Sequence, residues 1–463
     1  RDKAAANWSA YEDKILGIHG TCGNGVYWSY NNTSKTLAIL GMGAMENYKY
    51  WNARWFDYQE ITKVVISDGV TSIGENAFFE CSALTSITIP ASGTSIGEWA
   101  FRDCHALTSI TIPASVTSIG KNAISHCRSL ASITVAAGNT VYDSRNNCNA
   151  LIETASNTLI VGSNNTVIPN TVTNIGDGAF TNYSALTSIT IPASVTSIGD
   201  NVFNGCGSLT AVIMQSATPP TLNQWVFDSC PALTIYVPTG TAAAYKAAEN
   251  WSSYKERVEE FDGTCGDGVY WSYNSDSKAL TIFGTGAMTN GQPWESYRKD
   301  INTVLVGNGV TAIGNNAFKG CTALSTVVMP ATTPPTLGSG AFIDCNALTG
   351  IYVPEDKVDD YKDAWSDYAD KIMAIDGTCG KNVYYSYQSN SNTLTIFGTG
   401  PMTSYNDNSY FPWYTYIKNI TSVTIKSGVT TIGNNAFNWC TGLTSIDIPA
   451  SVTTIGNNAF GGC

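Results

Sequence analysis

The chain has 463 residues, of which only 13 % are charged, and its 24 Lys and Arg stand against 36 Asp and Glu for a net charge of −12. Phosphate binding needs a basic footprint, so this balance excludes a nucleic-acid binder. Hydrophobic residues make up 43 % without any run of the ~18 apolar positions that a membrane span requires, so the composition fits neither a disordered chain nor a spanning segment.

In chain order, the first recognisable element is residues 1–19. Trp8 precedes Cys22 by 14 residues, as Trp251 precedes Cys265 and Trp365 precedes Cys379. Near the third of these tryptophans, Val358, Tyr361, Trp365, Tyr368 and Ile372 step by three and four, which is one face of an amphipathic helix. Residues 1–19 therefore read as the closing helix of a preceding unit. Next, GTCGNGVYWSYNNTSKTLAILGMGAM (20–45) holds two alternating runs about a polar turn and predicts a β-hairpin. It returns at 263–288 and 377–402, each time followed by aromatic residues: Trp51 and Trp55, then Trp294, then Trp413.

From Ile61 a shorter period takes over. An x-Ile-Gly tripeptide places glycine at 74, 97, 120, 176, 199, 314, 433 and 456, and within each run the spacing is 23. One full period reads LTSITIPASVTSIGDNVFNGCGS (186–208), the length of one solenoid coil. Leu84, Ile87 and Ile89 alternate inward while Thr88 points out, and the set recurs in the later coils. A single coil cannot bury such a face, so coils must stack, their strands ~4.8 Å apart. Between Gly120 and Gly176 one period stretches to 56 residues, and ALIET and TLIVG predict a hairpin inserted within about residues 138–169. The proline pairs in 217–238 and 331–354 cannot extend a ladder, so these segments read as capping coils.

The pattern L-x-x-I-x-I-P-x-x-V-x-x-I-G-x-x-A-F-x-x-C, repeated between Ile61 and Cys463, resembles the BspA-like, Treponema-type leucine-rich repeats of secreted and surface proteins of gut and oral bacteria. The resemblance implies a right-handed leucine-rich-repeat solenoid, extracellular or cell-surface display and adhesion, with no catalytic residue and no cofactor. The expected architecture is a β-rich solenoid of 23-residue coils in three successive modules, each opened by a hairpin and closed by a short capping helix. Module one spans 20–262, module two 263–376 and module three 377–463, the last cut partway through a coil. The chain is expected to be a piece of a longer repetitive protein whose signal and anchor lie elsewhere.

Candidate sites were weighed against the repeat. His19, His105 and His126 are the three histidines, and no nucleophile elbow, zinc motif or phosphate loop accompanies them. Asp143 and Asp407 lack the ligand spacing of a calcium loop. Nine of the 13 cysteines (81, 104, 127, 206, 230, 321, 345, 440 and 463) share one coil position, and stacked parallel side chains suit free thiols better than disulfides. Pairing among Cys22, Cys148, Cys265 and Cys379 stays open. The aromatic clusters Tyr48–Trp55, Trp294–Tyr297 and Tyr410–Tyr416 read as plugs at the start of each solenoid, with stacking on sugar rings as the alternative.

The outward sheet row runs Val65, Thr88, Thr111, Thr134, Thr190, Ile213 and Tyr236 in module one, Leu305, Val328 and Tyr352 in module two, and Thr424 and Asp447 in module three. Its large apolar members, Ile213, Tyr236, Leu305, Val328 and Tyr352, are the expected binding residues unless a neighbouring hairpin or helix covers them. The leading expectation is a non-enzymatic binding protein offering this sheet face to a protein or glycan, such as host matrix or mucus. Alternatives are a self-associating filament or surface-layer spacer, and a substrate-recruiting region of a larger secreted enzyme.

Overall fold

The computed structural model describes residues 17–406 and 411–463; the expected closing helix at the N-terminus falls almost wholly outside them, as does Asp407. The chain is a β-solenoid with few helices. Each coil contributes two short strands, one to each of two parallel sheets. In the first sheet Val64 pairs with Ile87 and Ile110 with Ile133. In the second, Ile73 pairs with Ile96 and Ile119 with Ile96 on its other edge. All these partners are 23 residues apart, so equivalent positions stack into inward ladders of valine and isoleucine.

The turn segment between strands stacks by backbone bonds as well. Phe78 N donates to Ala100 O (2.8 Å) and Phe101 N to Ala123 O (2.7 Å). The glycine that opens this segment is required by close approach: a Cβ on Gly97 would stand 2.4 Å from the Glu75 nitrogen. Two residues after each such glycine the backbone turns left-handed, which asparagine tolerates, as at Asn76, Asn122, Asn201, Asn316, Asn435 and Asn458.

Phenylalanines of successive coils form an aromatic column. In module two Trp294, Phe318, Phe342 and Trp365 follow one another at 5.5, 5.3 and 6.2 Å between ring centroids. A tryptophan thus closes each end. Trp365 Nε1 donates to Pro335 O (2.9 Å), and Trp251 Nε1 to Pro220 O (2.8 Å). The proline pairs supply the acceptors for the capping indoles, and, against the expectation, their coils still extend the ladder, Thr221–Leu222 on Ser197–Ile198 and Thr336–Leu337 on Ala312–Ile313.

Two local readings need revising. Each opening hairpin is a three-stranded antiparallel meander, Gly20–Gly23, Val26–Asn31 and Thr36–Gly41 in its first copy, whose third strand pairs parallel with the first coil. The closing helix is shorter than its periodicity: Val358–Ala364 is α-helical, Trp365 leaves the helical region at φ −123° and ψ 52°, and Ile372 begins a strand. The face still packs, since Tyr361, Trp365 and Ile372 are buried.

In the inserted stretch, Leu151–Glu153 and Thr158–Val161 pair antiparallel, and the latter strand then rejoins the parallel ladder. The described residues divide into two compact units, one comprising the chain through Leu233 with Ala243–Val258, the other Thr234–Ala242 with Glu259–Cys463. The segments expected as modules two and three, 263–376 and 377–463, fall in one unit, which also takes in Thr234–Ala242 and Glu259–Asp262. Its main sheet runs from Gly263–Gly266 through Gly350–Pro354 to Ile372–Ile375 in seven strands.

Candidate functional site

The outward row does not face solvent where it is apolar. Leu305, Val328 and Tyr352 are 4, 0 and 3 % exposed, and they pack with Phe397 of the third hairpin, flanked by Met373, Ile375 and Tyr384. Tyr352 lies face to face with Phe397 at 3.7 Å. Alternation in that hairpin sends Tyr384 and Phe397 outward just as it sends Tyr352 outward, and two apolar outer faces remove each other from water. Tyr236 is stacked in the same way on Phe283 at 3.5 Å, and Ile213 is fully buried. All five expected binding residues are therefore interior, and the sheet-face site is withdrawn. The exposed part of the row is Thr88, Thr111, Thr134 and Asp447.

The histidines are structural. His19 stacks on Trp28 and accepts from Tyr30 N, and His126 Nδ1 meets Asp103 Oδ1 at 3.1 Å. Asp143 is committed to Arg145, with Nη2–Oδ2 at 2.6 Å, and to the Thr154 hydroxyl at 3.0 Å. Burial pushes the Asp143 carboxyl up, but those hydrogen bonds outweigh it and hold the group below its ordinary value.

The coil-position cysteines are unpaired thiols with a shared partner. Sγ of Cys104, Cys127, Cys206, Cys230, Cys345 and Cys463 each donates to the phenylalanine carbonyl of the coil before, at 3.0–3.2 Å. Burial pushes the Cys127 and Cys206 thiols up to about 12, so neither supplies a thiolate near neutral pH. Cys22, Cys148, Cys265 and Cys379 are free and buried too.

The tryptophans separate into two populations. Trp55, Trp294 and Trp413 plug the start of each aromatic column, and Trp55 Nε1 donates to Ala77 O at 2.8 Å. Trp51, Trp225 and Trp439 are 58, 55 and 65 % exposed, and each has a left-handed φ, of +55°, +54° and +62°. Trp99, half-buried, is left-handed as well. Trp99 and Trp225 occupy the slot that six coils give to asparagine, so bulky residues sit where the backbone disfavours them, and at Trp225 burial does not repay the strain.

The densest exposed group is in module one. Tyr50 tilts onto Trp99 at 4.8 Å and meets Phe79 edge-on at 5.4 Å, and Trp51 lies 5.9 Å from Tyr50. Trp51 Nε1 donates to Glu80 Oε2 at 2.9 Å, and the Arg102 guanidinium lies over the Trp99 ring at 5.7 Å. On the same coils an open groove of about 330 Å³ is lined by Asn47, Ser72, Glu75, Ser95, Ser118, Lys121 and Glu98, the last being the residue before Trp99. The ledge residues were legible only in part: Tyr50 and Trp51 lie within the stretch read as a plug, and Trp99 was visible as a tryptophan in an asparagine slot. Such a surface can hold a ligand by stacking and hydrogen bonding; among the described residues it has no nucleophile–base pair and no cluster of three His, Cys, Asp or Glu suited to a metal.

Comparison with known proteins matches residues 49–158, 159–244, 296–376 and 407–463 to the BspA type leucine rich repeat region, in six copies. No curated protein matches the chain. Among solved structures, a leucine-rich repeat protein from Eubacterium ventriosum is 18 % identical over 95 % of this chain and 93 % of its own, with a TM-score of 0.27. A leucine rich cell surface protein from Faecalibacterium prausnitzii is 20 % identical over 73 and 95 %, with a TM-score of 0.27. The leucine-rich repeat protein of T. pallidum is 21 % identical over 46 and 89 %, with a TM-score of 0.26. No helix among the described residues is long and apolar enough to cross a membrane.

Proposed function

Because the chain belongs to the BspA-type leucine-rich-repeat family, we propose that it is a non-enzymatic adhesion protein, displayed outside the cell, that binds host proteins, glycans or other cells along the turn edge of its coils. One observation carries the reading: among the described residues every tryptophan that is mostly in solvent, Trp51, Trp225 and Trp439, holds a left-handed backbone, and Trp225 does so where six coils carry asparagine. Strain retained without burial is expected where the side chain serves a partner. Large aromatic anchors are also the residues that dominate binding surfaces.

The experiment is capture of the chain on immobilised mucin and matrix protein by surface plasmon resonance, compared with a Trp51→Asn/Trp225→Asn/Trp439→Asn variant. Asparagine suits the backbone at all three positions, so the fold is retained. Capture by the parent and a loss of at least tenfold, about 1.4 kcal/mol, in the variant supports the reading, and equal capture sinks it. A spacer role in a longer array draws on a different observation, the burial of Leu305, Val328 and Tyr352 against the next hairpin. Concentration-dependent polymers in light scattering would favour that second reading.

A further inference from the structure

Trp51 is held as a fixed platform. Its indole nitrogen is tied to Glu80, its ring meets Phe79 edge-on at 6.3 Å, and Tyr50 beside it is backed by Trp99. An aromatic ring held in this way loses little further freedom when a ligand settles on it. Fixing it costs strain at φ +55°, and more than half of the residue stays in solvent, so its contacts with Tyr50 and Phe79 return little burial.

The chemistry of the groove on the same coils is specific. Ser72, Ser95 and Ser118 recur along the groove with the coil period, and Glu75 and Glu98 stand one residue after the coil glycines. Arg54 is paired with Glu46 and Arg102 with Asp103, and Lys121, which also lines the groove, has its Nζ 4.0 Å from Asp177 Oδ2, whereas neither Glu75 nor Glu98 has an ion-pair partner among the described residues. Ionised carboxylates accept hydrogen bonds and cannot donate them. A ligand for this groove therefore presents donors along one edge and an apolar face to the ring, and the two carboxylates against the single Lys121, with the net −12 of the chain, disfavour an anionic one.

A pyranose ring has that combination, with a C–H face and a hydroxyl edge. A protein anchor would instead need a dry apolar pocket, and serines and glutamates do not make one. We infer that the Trp51 ledge and the groove on the same coils bind a neutral, unsulfated oligosaccharide, the ring of one sugar on Trp51 and hydroxyls of its neighbours on Glu75 and Glu98. This rests on the adhesion reading above and names one ligand class for it.

The test is isothermal titration of the full chain with soluble neutral hexasaccharides built from glucose, N-acetylglucosamine, mannose or xylose, beside a heparin hexasaccharide and sialyllactose. The expected result is binding of at least one neutral sugar and neither acidic one. Trp51→Asn should weaken it at least tenfold with no fall in the unfolding midpoint. Glu98→Gln, which keeps the shape and removes the charge, should weaken it several-fold. Thr111→Val, on the exposed sheet row and outside the turn edge, should leave it within twofold. Silence toward every neutral sugar at about 10 mM, far above the range of specific binding, overturns the inference, as does equal binding by Trp51→Asn or a preference for heparin. Capture of deglycosylated matrix protein in the face of such silence leaves the adhesion reading standing, whereas failure of both removes the two together.

Discussion

The outer row of module two and the turn edge of module one reverse each other. Leu305, Val328 and Tyr352 sit on the face that alternation assigns to water, yet they are buried; Tyr50 and Trp51 belong to a stretch that plugs the core, yet they stand in water. Strand alternation tells which side of a sheet a residue is on, and says nothing of what lies against that side. The left-handed slot is more informative, since it marks residues that the local backbone does not want. Exposure that costs conformational energy is a stronger sign of a partner than apolar character on a strand.

The largest expected effect tests the buried side of this contrast. Tyr352→Ala should destabilise the unit that holds modules two and three by about 3–4 kcal/mol, as for other large-to-small aromatic truncations in cores, measured by urea unfolding. A loss under about 1 kcal/mol would return Tyr352 to the surface and break the comparison. Next, Cys127 lends its burial to pH dependence. Its thiol is pushed from about 9 to about 12, so the folded state keeps a proton that the unfolded chain releases. The contribution is complete below pH 9 and is lost as pH rises above it, by about 1 kcal/mol at pH 10. Urea midpoints should fall between pH 8 and 10 in the parent and fall less in Cys127→Ala.

On the exposed side, Trp225→Asn should stabilise the protein by about 0.5–1 kcal/mol, because the strain goes and little burial goes with it. A destabilised Trp225→Asn would mean that the indole contributes to the fold, and the turn-edge argument would lose its main support. The smallest effect belongs to the threonine row: Thr111→Val should stay within about 0.5 kcal/mol of the parent in thermal unfolding.

The coil itself was legible because its physics is local and repeated. Ile87, Ile89, Gly97 and Phe101 report strand, turn and core in a single period, and 23-residue pairing follows once equivalent positions stack. Cover of Tyr352 by a neighbouring hairpin or helix was open as the alternative in the sequence, but that Tyr384 and Phe397 supply it was not legible, since they belong to a different module and carry no motif linking them to that row. The closing helix was read too long for a related reason: Ile372 shares the apolar spacing of Val358 and Tyr361 although a strand buries it just as well. The ledge was half legible. A tryptophan in place of asparagine at position 99 can be seen in aligned coils, but that Tyr50 reaches Trp99 depends on how the meander enters the first coil.

The in-register pairing also makes the molecule a ruler with fixed graduations. Because Val64 meets Ile87 and Ile110 meets Ile133 at an interval of 23, removing or adding one whole period restores every ladder bond, and the stack shortens or grows by one step of ~4.8 Å. A gene of this kind can change how far its product reaches by unequal recombination alone, without composing a new core, and each such step carries the aromatic edge outward by the same increment.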